Sequence, residues 1–367
     1  MRDKKSITDY LHKIIIYKDN FINKMNLIYS CIFYKDSYIN LIEILLKTYV
    51  LFGGDRKNTK YLVLCDKDYE QRIQKIFLEL DMDGETWSPN LEKKTLFESA
   101  YARLKIFDYP KIDEYEKILY LDCDILITND LCPIFSLPLQ NYIYAVMDGH
   151  TSETEPRFGG PPDWWGGQFF TSEDNPKVPG FSSGVMLFRN CSEMINLFES
   201  ILNHIYQYEK EGGTTFFGEQ PFIVYHAIKN NLYDNTTLNS FAFNNHNELI
   251  FNGEAITHFP GGANGGYGEY DCKVKKMHRF LYYFLELNHE EYYIVNKKYI
   301  WEKDIITFLP NNKMDAFGEG SYRFIGNRLI RANFGGRSHF IKFSSDYKSF
   351  KSVRYDDLQI IDGLVLF

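Results

Sequence analysis

Apolar residues fall into two regimes along the chain. Over residues 26–299 short apolar runs alternate with stretches of helical period. From about residue 300 onward apolar and polar positions simply alternate. Asn26-Leu-Ile-Tyr-Ser-Cys-Ile-Phe33 has the length and residue types of a buried strand. After Tyr34–Tyr38, residues Ile39, Ile42, Leu45, Leu46 and Tyr49 follow the 3.6-residue period of a helix that Gly53-Gly54 stops. A second strand, Tyr61-Leu-Val-Leu-Cys65, leads through Asp66 into a helix with Ile73, Ile76, Phe77 and Leu80 on one face. Ile118–Leu121 and Ile125–Ile127 together read as a strand buried on both faces and interrupted by Asp122 and Asp124. Leu131–Phe135 reads as a turn and short helix, Asn141–Val146 as a strand. A helix runs from about Ser192 to Glu211, ending at Gly212-Gly213, and another opens at Glu219-Gln220-Pro.

Strands alternating with helices predict an α/β domain with a largely parallel sheet. Ligands in such sheets bind at the carboxyl ends of the strands. Tyr34–Tyr38, Asp66 and Asp122–Asp124 all fall at such ends, which puts them in one pocket. Residues 149–180 break the pattern with Gly159-Gly-Pro-Pro162, Trp164-Trp165 and Gly166-Gly167. A long Gly/Pro loop is functional or disordered, and the paired tryptophans favour a functional loop or lid, since such rings stack well on sugar faces. Tyr322–Ile325, Arg328–Asn333, His339–Phe343 and Gln359–Val365 alternate between Gly, Asn and Asp breaks and predict an antiparallel β-rich module. The expected organisation is an N-terminal arm or helix (1–25), a main domain (26–299) and the β-rich module (300–367).

Composition narrows the function classes. At 367 residues, 44% hydrophobic and 17% aromatic, the chain has ample core material. A net charge of −8 argues against a nucleic-acid partner, because no basic field would attract phosphate backbone. The six cysteines are scattered without metal-ligand pairing; Cys31, Cys65 and Cys123 fall in expected strands as buried reduced thiols. No apolar stretch reaches membrane-spanning length; Ile14–Tyr17 is short and flanked by lysines. An intracellular, soluble, cytoplasmic protein is expected. The richness in Lys, Asn, Ile, Tyr and Phe suits an AT-rich source such as some bacteria or large DNA viruses, where host cytoplasm or virion would be the location. A homo-oligomer remains open.

The candidate chemistry starts from the two interrupting acids. Residues two apart on an extended chain point the same way, so Asp122 and Asp124 converge. Two convergent carboxylates repel unless a cation lies between them, and a hard divalent ion is the simplest. The alternative is that the strand ends at Leu121 and both acids are solvated. An amphipathic stretch just upstream carries Arg103 and Lys105, cations available to a phosphate.

Tyr101-Ala-Arg103-Leu-Lys105, followed by Ile-Leu-Tyr-Leu-Asp122-Cys123-Asp124-Ile-Leu, resembles the donor-site core of the family 8 glycosyltransferases, the group that includes glycogenin and bacterial lipopolysaccharide galactosyltransferases. Three further matches follow in the family's order. Phe181-Ser-Ser183-Gly184-Val resembles its Phe-Asn-Ser-Gly-Val strand, with Ser182 replacing Asn. Glu219-Gln220 resembles its Asp-Gln helix start, and His258 with Gly261 and the glycines after it resembles its late metal-binding segment.

The resemblance spans residues 26 to about 280. It implies a GT-A (Rossmann-like) nucleotide-sugar-binding fold. Asp122, Asp124 and His258 become the ligands of Mn²⁺, with Mg²⁺ as a substitute. Tyr34, Asp36 and Tyr38 become the uracil and ribose loop, an aromatic face with an acceptor for the imide. Asp66 is either a donor-site residue or a helix cap. Cys123, Ser183, Gly184 and the backbone at Gly261 would line the donor, small residues letting the chain approach it. Where the family grips the β-phosphate with Lys, this chain has Asn264, and Lys273, Lys275 or Lys276 would serve instead.

The activity implied is retaining transfer of a hexose (glucose, galactose or GlcNAc) from a UDP-sugar to a hydroxyl of a glycan or protein. Glu219, Gln220 and Arg103 would act at the anomeric carbon and the leaving diphosphate. Two other classes fit part of the pattern. A nucleotidyltransferase making a nucleotide sugar also uses strand-end acids with a divalent metal, although residues 34–38 lack its Gly-rich loop. A non-catalytic sugar-binding protein would explain the aromatics and the β module but not the Asp-Asp-His set.

Overall fold

The computed structural model describes residues 25–54, 56–91, 95–152, 162–213, 218–245, 254–260, 273–278, 280–281, 294, 297–309, 313–326, 328–344 and 347–366. The N-terminal arm, the segment Gly159–Pro161, and Gly261 with the glycines after it lie outside these residues. The chain divides into two compact units. One comprises Met1–Glu248 and Glu254–Val274, the other Leu249–Gly253 and Lys275–Phe367.

In the first unit the described residues form a seven-stranded sheet. Its strands are β1 (Met25–Ile32), β2 (Thr59–Cys65), β3 (Gly84–Trp87), β4 (Tyr115–Leu121), β6 (Ile143–His150), β7 (Pro179–Arg189) and β8 (Tyr233–Asp234), in the order β3-β2-β1-β4-β7-β6-β8. Only β7 runs against the others: it pairs antiparallel with β4 and β6, whereas the remaining pairs are parallel. The mixed α/β fold with a mostly parallel sheet is as expected.

The apolar runs fill both faces. Along β4, Ile118 and Tyr120 belong to one core cluster and Leu119 and Leu121 to the other, the two-residue alternation of a strand covered on both sides. Helix α1 (Tyr38–Phe52) buries Ile39, Ile42, Leu45, Leu46 and Tyr49 and ends at Gly53. Helix α2 (Lys67–Glu79) buries Ile73, Ile76 and Phe77, with Leu80 just past its end. The short helices α3 (Leu96–Tyr101) and α4 (Cys132–Phe135) and the longer α5 (Ser192–Lys210) and α6 (Gln220–Lys229) follow.

One expectation is corrected at the acids. Ile118–Leu121 and Ile125–Ile127 are not one strand. The chain bends at Cys123 and Asp124, and β5 (Ile125–Ile127) leaves the main sheet for a second, three-stranded one with β10 (Ile256–His258) and β9 (Ala242–Asn244). Asp122 N–H still donates to Gly184 O at 2.8 Å. Ile127 N–H donates to Thr48 Oγ1 on α1 at 3.0 Å. Asp122-Cys123-Asp124 is thus the seam between two sheets, and Cys123 lies in the bend rather than in a strand.

The second unit is a closed barrel of eight antiparallel strands. These are β11 (Lys298–Trp301), β12 (Asp304–Leu309), β13 (Lys313–Asp315), β14 (Glu319–Gly326), β15 (Leu329–Phe334), β16 (Arg337–Phe343), β17 (Ser349–Arg354) and β18 (Ile360–Val365), with β18 pairing back onto β11. Its interior is packed with side chains such as Tyr299, Phe308, Ile330, Phe343 and Phe350. The alternation predicted an antiparallel module; closure into a barrel removes the sheet edges as well. No helix among the described residues is long and apolar enough to cross a membrane.

Candidate active site

The seam brings Asp122, Asp124 and His258 together. One ligand atom from each lies within 4.8 Å of the other two. His258 is placed by β10, where it pairs in register with Ile125, and Phe259 N–H donates to Asp124 O at 3.0 Å. His258 Nε2 stands 3.7 Å from Asp122 Oδ2 and 3.4 Å from Asp124 Oδ1. The other ring nitrogen, Nδ1, is 2.8 Å from Asn244 Oδ1, and Asn244 Nδ2 donates to Asp148 Oδ2 at 3.0 Å. An amide oxygen only accepts, so Nδ1 donates to Asn244 and Nε2 is the ring nitrogen turned to the carboxylates, a ligand for an ion once bare. Nothing in the sequence pattern singled out Asn244 or Asp148.

These residues fit a divalent ion. Asp124 Oδ1 is buried and makes no hydrogen bond among the described residues, a position a buried acceptor does not hold cheaply. Two carboxylates and an imidazole make an oxygen- and nitrogen-donor set that a divalent ion can take. Gly184 forms one wall: a Cβ there would overlap His258 Cε1 and come 2.6 Å from Nε2 and 2.9 Å from Asp122 Oδ2. Burial alone would push the Asp124 carboxyl up, but Lys273 and His258 hold it well below the usual carboxylate range. Lys273 Nζ donates to Asp124 Oδ2.

Arg103 lies in a 3-10 segment, Ala102–Asp108, that continues α3. It is buried, as is Glu219, with which its Nη2 forms an ion pair. Its Nη1 donates to Asp122 Oδ1 at 3.1 Å and to Ser183 O at 2.9 Å, and its Nη2 to Ser183 Oγ at 2.8 Å. The guanidinium also lies 4.7 Å above the Tyr120 ring, and Tyr120 donates to Asp122 Oδ1. Arg103, read from the sequence as a cation available to a phosphate, has its charge shared between two carboxylates. Lys105 donates to Asn90 O at 3.0 Å and is not part of the cluster.

Ser183 ties this group to Gln220. Its N–H and hydroxyl both donate to Gln220 Oε1, at 3.1 and 3.2 Å, while Gln220 Nε2 donates to Trp164 O at 3.2 Å. Ser183 is buried and holds its neighbours in place. Glu219 occupies the N-cap position of α6 without capping it; its carboxylate is turned to Arg103 instead.

The loop at the end of β1 is arranged differently. Tyr34 has a left-handed backbone (φ 70°) and is 51% exposed, and its N–H donates to Asp66 Oδ2 at 3.3 Å. A strained non-glycine backbone holding an exposed ring at a strand end is the kind of outlier that accompanies function. Asp36 pairs with Arg72, and Tyr38 opens α1 half-buried against the core. Asp66 occupies the N-cap position of α2 but makes no capping hydrogen bond. Cys123 is partly buried, and burial pushes its thiol well up.

The tryptophan pair is a further correction. Trp165 is a core residue lying against Gly149 and Gly180, where a side chain at Gly149 would occupy the indole's space. Trp164 is partly buried against the same core. Trp165 is therefore not free to stack on a sugar.

A mostly parallel sheet with an Asp-X-Asp seam, a histidine and a buried arginine at its strand ends has the layout of a GT-A glycosyltransferase. The sequence model described as Glycosyl transferase family 8 matches residues 26–234, more than half of the chain, and the chain belongs to that family. It is similar to general stress protein A of Bacillus subtilis (strain 168), 26% identical over 106 residues, covering 28% of this chain and 35% of that protein. Among solved structures, the bifunctional glycosyltransferase WbbM aligns with a TM-score of 0.48 and 15% identity over 70% of this chain and 50% of its own. The glycosyltransferase GlyE of Streptococcus pneumoniae TIGR4 aligns with a TM-score of 0.44 and 18% identity over 73% and 64%. The chain thus spans only part of the length of these relatives.

Proposed function

We propose that the protein transfers a hexose from a UDP-sugar to a hydroxyl of a glycan or protein acceptor, in the cytoplasm, with retention of anomeric configuration and dependence on Mn²⁺. The observation that carries this reading is the convergence of Asp122, Asp124 and Nε2 of His258 on one point beside Arg103. When bound there, a divalent ion supplies charge neutralisation to the departing diphosphate.

The chain's own residues do the rest. Arg103, fixed by Asp122, Glu219 and Ser183, is a preorganised positive field beside the leaving group and needs no reorganisation during reaction. Tyr34, with Asp36 and Tyr38, forms the base and ribose loop. The Gln220 amide is held at both ends, with Oε1 accepting two hydrogen bonds from Ser183. An amide oxygen so engaged is a poor nucleophile, unlike the free carboxylate of a retaining glycosidase. Retention then follows from same-face attack, with the leaving phosphate taking the acceptor's proton and the Gln220 carbonyl dipole stabilising positive character at the anomeric carbon.

The test is UDP release from a panel of UDP-sugars, with Mn²⁺ or EDTA, for the wild type and Asp124→Ala. Turnover of one UDP-hexose, abolished by EDTA and by the substitution, supports the reading and names the sugar. Absence of metal-dependent turnover or binding across the panel sinks it.

A further inference from the structure

The two cations at the site differ in how they are held. Arg103 has five anchors: Asp122, Glu219, the carbonyl and hydroxyl of Ser183, and the face of Tyr120. It cannot leave without stranding buried Glu219. Lys273 stands on a separate helical segment, residues 273–278, that contributes none of the three candidate ligands. Its ammonium is bonded to Asp124 Oδ2, at the end of a flexible four-carbon stem. The other oxygen of Asp124 faces His258 Nε2 at 3.4 Å without a hydrogen bond.

We propose that Lys273 is a displaceable internal cation: it neutralises Asp124 in the metal-free protein and is released to the donor's diphosphate when a divalent ion loads. The proposal rests on the nucleotide-sugar reading above and adds to it a coupling between metal and nucleotide. A divalent ion held by Asp122, Asp124 and His258 would lie beside the ammonium, and like charges in a partly desolvated site repel strongly. Gly184 and buried His258 wall one side of the ligand set. The lysine is the group that gives way, because Arg103 is locked. A released ammonium needs a new anionic partner, and the diphosphate that follows the metal provides one. By linkage, metal and nucleotide then each raise the other's affinity by the same factor.

The test uses the full chain and reads binding rather than turnover. Free Mn²⁺ is titrated by electron paramagnetic resonance with and without UDP, for wild type, Lys273→Met, Lys273→Arg and Asp124→Asn. Without UDP, Lys273→Met should bind Mn²⁺ about tenfold tighter than wild type, because no charge-assisted hydrogen bond must be broken. Addition of UDP should tighten Mn²⁺ binding in wild type and Lys273→Arg, and much less in Lys273→Met. If Lys273→Met does not fold, Lys273→Gln carries the same expectation. Equal or weaker Mn²⁺ affinity in Lys273→Met, with binding still lost in Asp124→Asn, overturns the exchange and leaves the metal site standing. No Mn²⁺ binding by wild type or Lys273→Met removes the metal site and the proposal together.

Discussion

His258 Nδ1 lies 2.8 Å from Asn244 Oδ1, and through that amide His258 is tied to Asp148. The relay sets which ring nitrogen is bare. Replacing Asn244 with Leu removes the acceptor that fixes the tautomer and one donor to Asp148 Oδ2. The expected outcome is a folded protein whose Mn²⁺ affinity is weaker by about 10–100-fold, the usual effect of losing such an outer partner. Isothermal titration with Mn²⁺, alongside circular dichroism, checks it; unchanged affinity would show that the relay does not orient the ligand.

The sequence carried the strand and helix pattern because each core-facing run obeys a local period. Ile39 to Tyr49 shows its helix by spacing alone, and Ile118 to Leu121 its strand by composition. Asp122 and Asp124 were legible because acids that interrupt an apolar run demand a reason, whereas His258 was reached only through the order of motifs in the family resemblance. What stayed hidden depends on pairing between distant residues. That β5 leaves the main sheet is decided by β10, more than a hundred residues later. The same holds for Arg103, whose bond to Glu219 is invisible in either local stretch, and for Trp165, which looks like a loop aromatic until Gly149 is seen to make room for it. Asn244 and Asp148 carry no local signal, since a polar residue at a strand end is ordinarily solvated.

Gly184 stands where a methyl group would enter the ligand set. Gly184→Ala should leave the fold intact, since its backbone lies outside the left-handed region that favours glycine, yet push His258 and Asp122 apart. Displacements near 1 Å in a reacting constellation cost about a hundredfold in rate. Turnover should therefore fall by that order, with Mn²⁺ affinity weakened in parallel. A variant with wild-type turnover would show that the histidine does not take part.

Arg103 and Glu219 form a buried pair, and the two single substitutions should be worse than the double. Arg103→Met leaves the Glu219 carboxylate buried without its partner, at a cost of about 3–5 kcal/mol. Arg103→Met with Glu219→Leu removes both charges and should recover much of that loss while remaining inactive. Urea denaturation midpoints of the three variants provide the measurement. Additive losses would mean that the pair is not coupled in the folded state.

His204 Nδ1 and His226 Nε2 face each other at 3.0 Å on α5 and α6, among Phe169, Phe222 and Tyr225. Burial, followed by His204 and the Lys229 charge, lowers the His226 pKa from 6.5 to about 4, and burial lowers that of His204 as well. A lowered histidine value means that the unfolded chain takes up protons which the folded chain refuses. Above about pH 6.5 both states are neutral there and the pair contributes no pH dependence. As pH falls from 6.5 toward 4, stability declines, and below 4 this loss is complete. With allowance for partial exposure the decline is about 1–2 kcal/mol. His226→Gln should flatten this segment of the stability profile while leaving the slope above pH 7 unchanged. Thermal melts from pH 7.5 to 4 for wild type and variant make the comparison; parallel curves would show that the histidine pair does not titrate with folding.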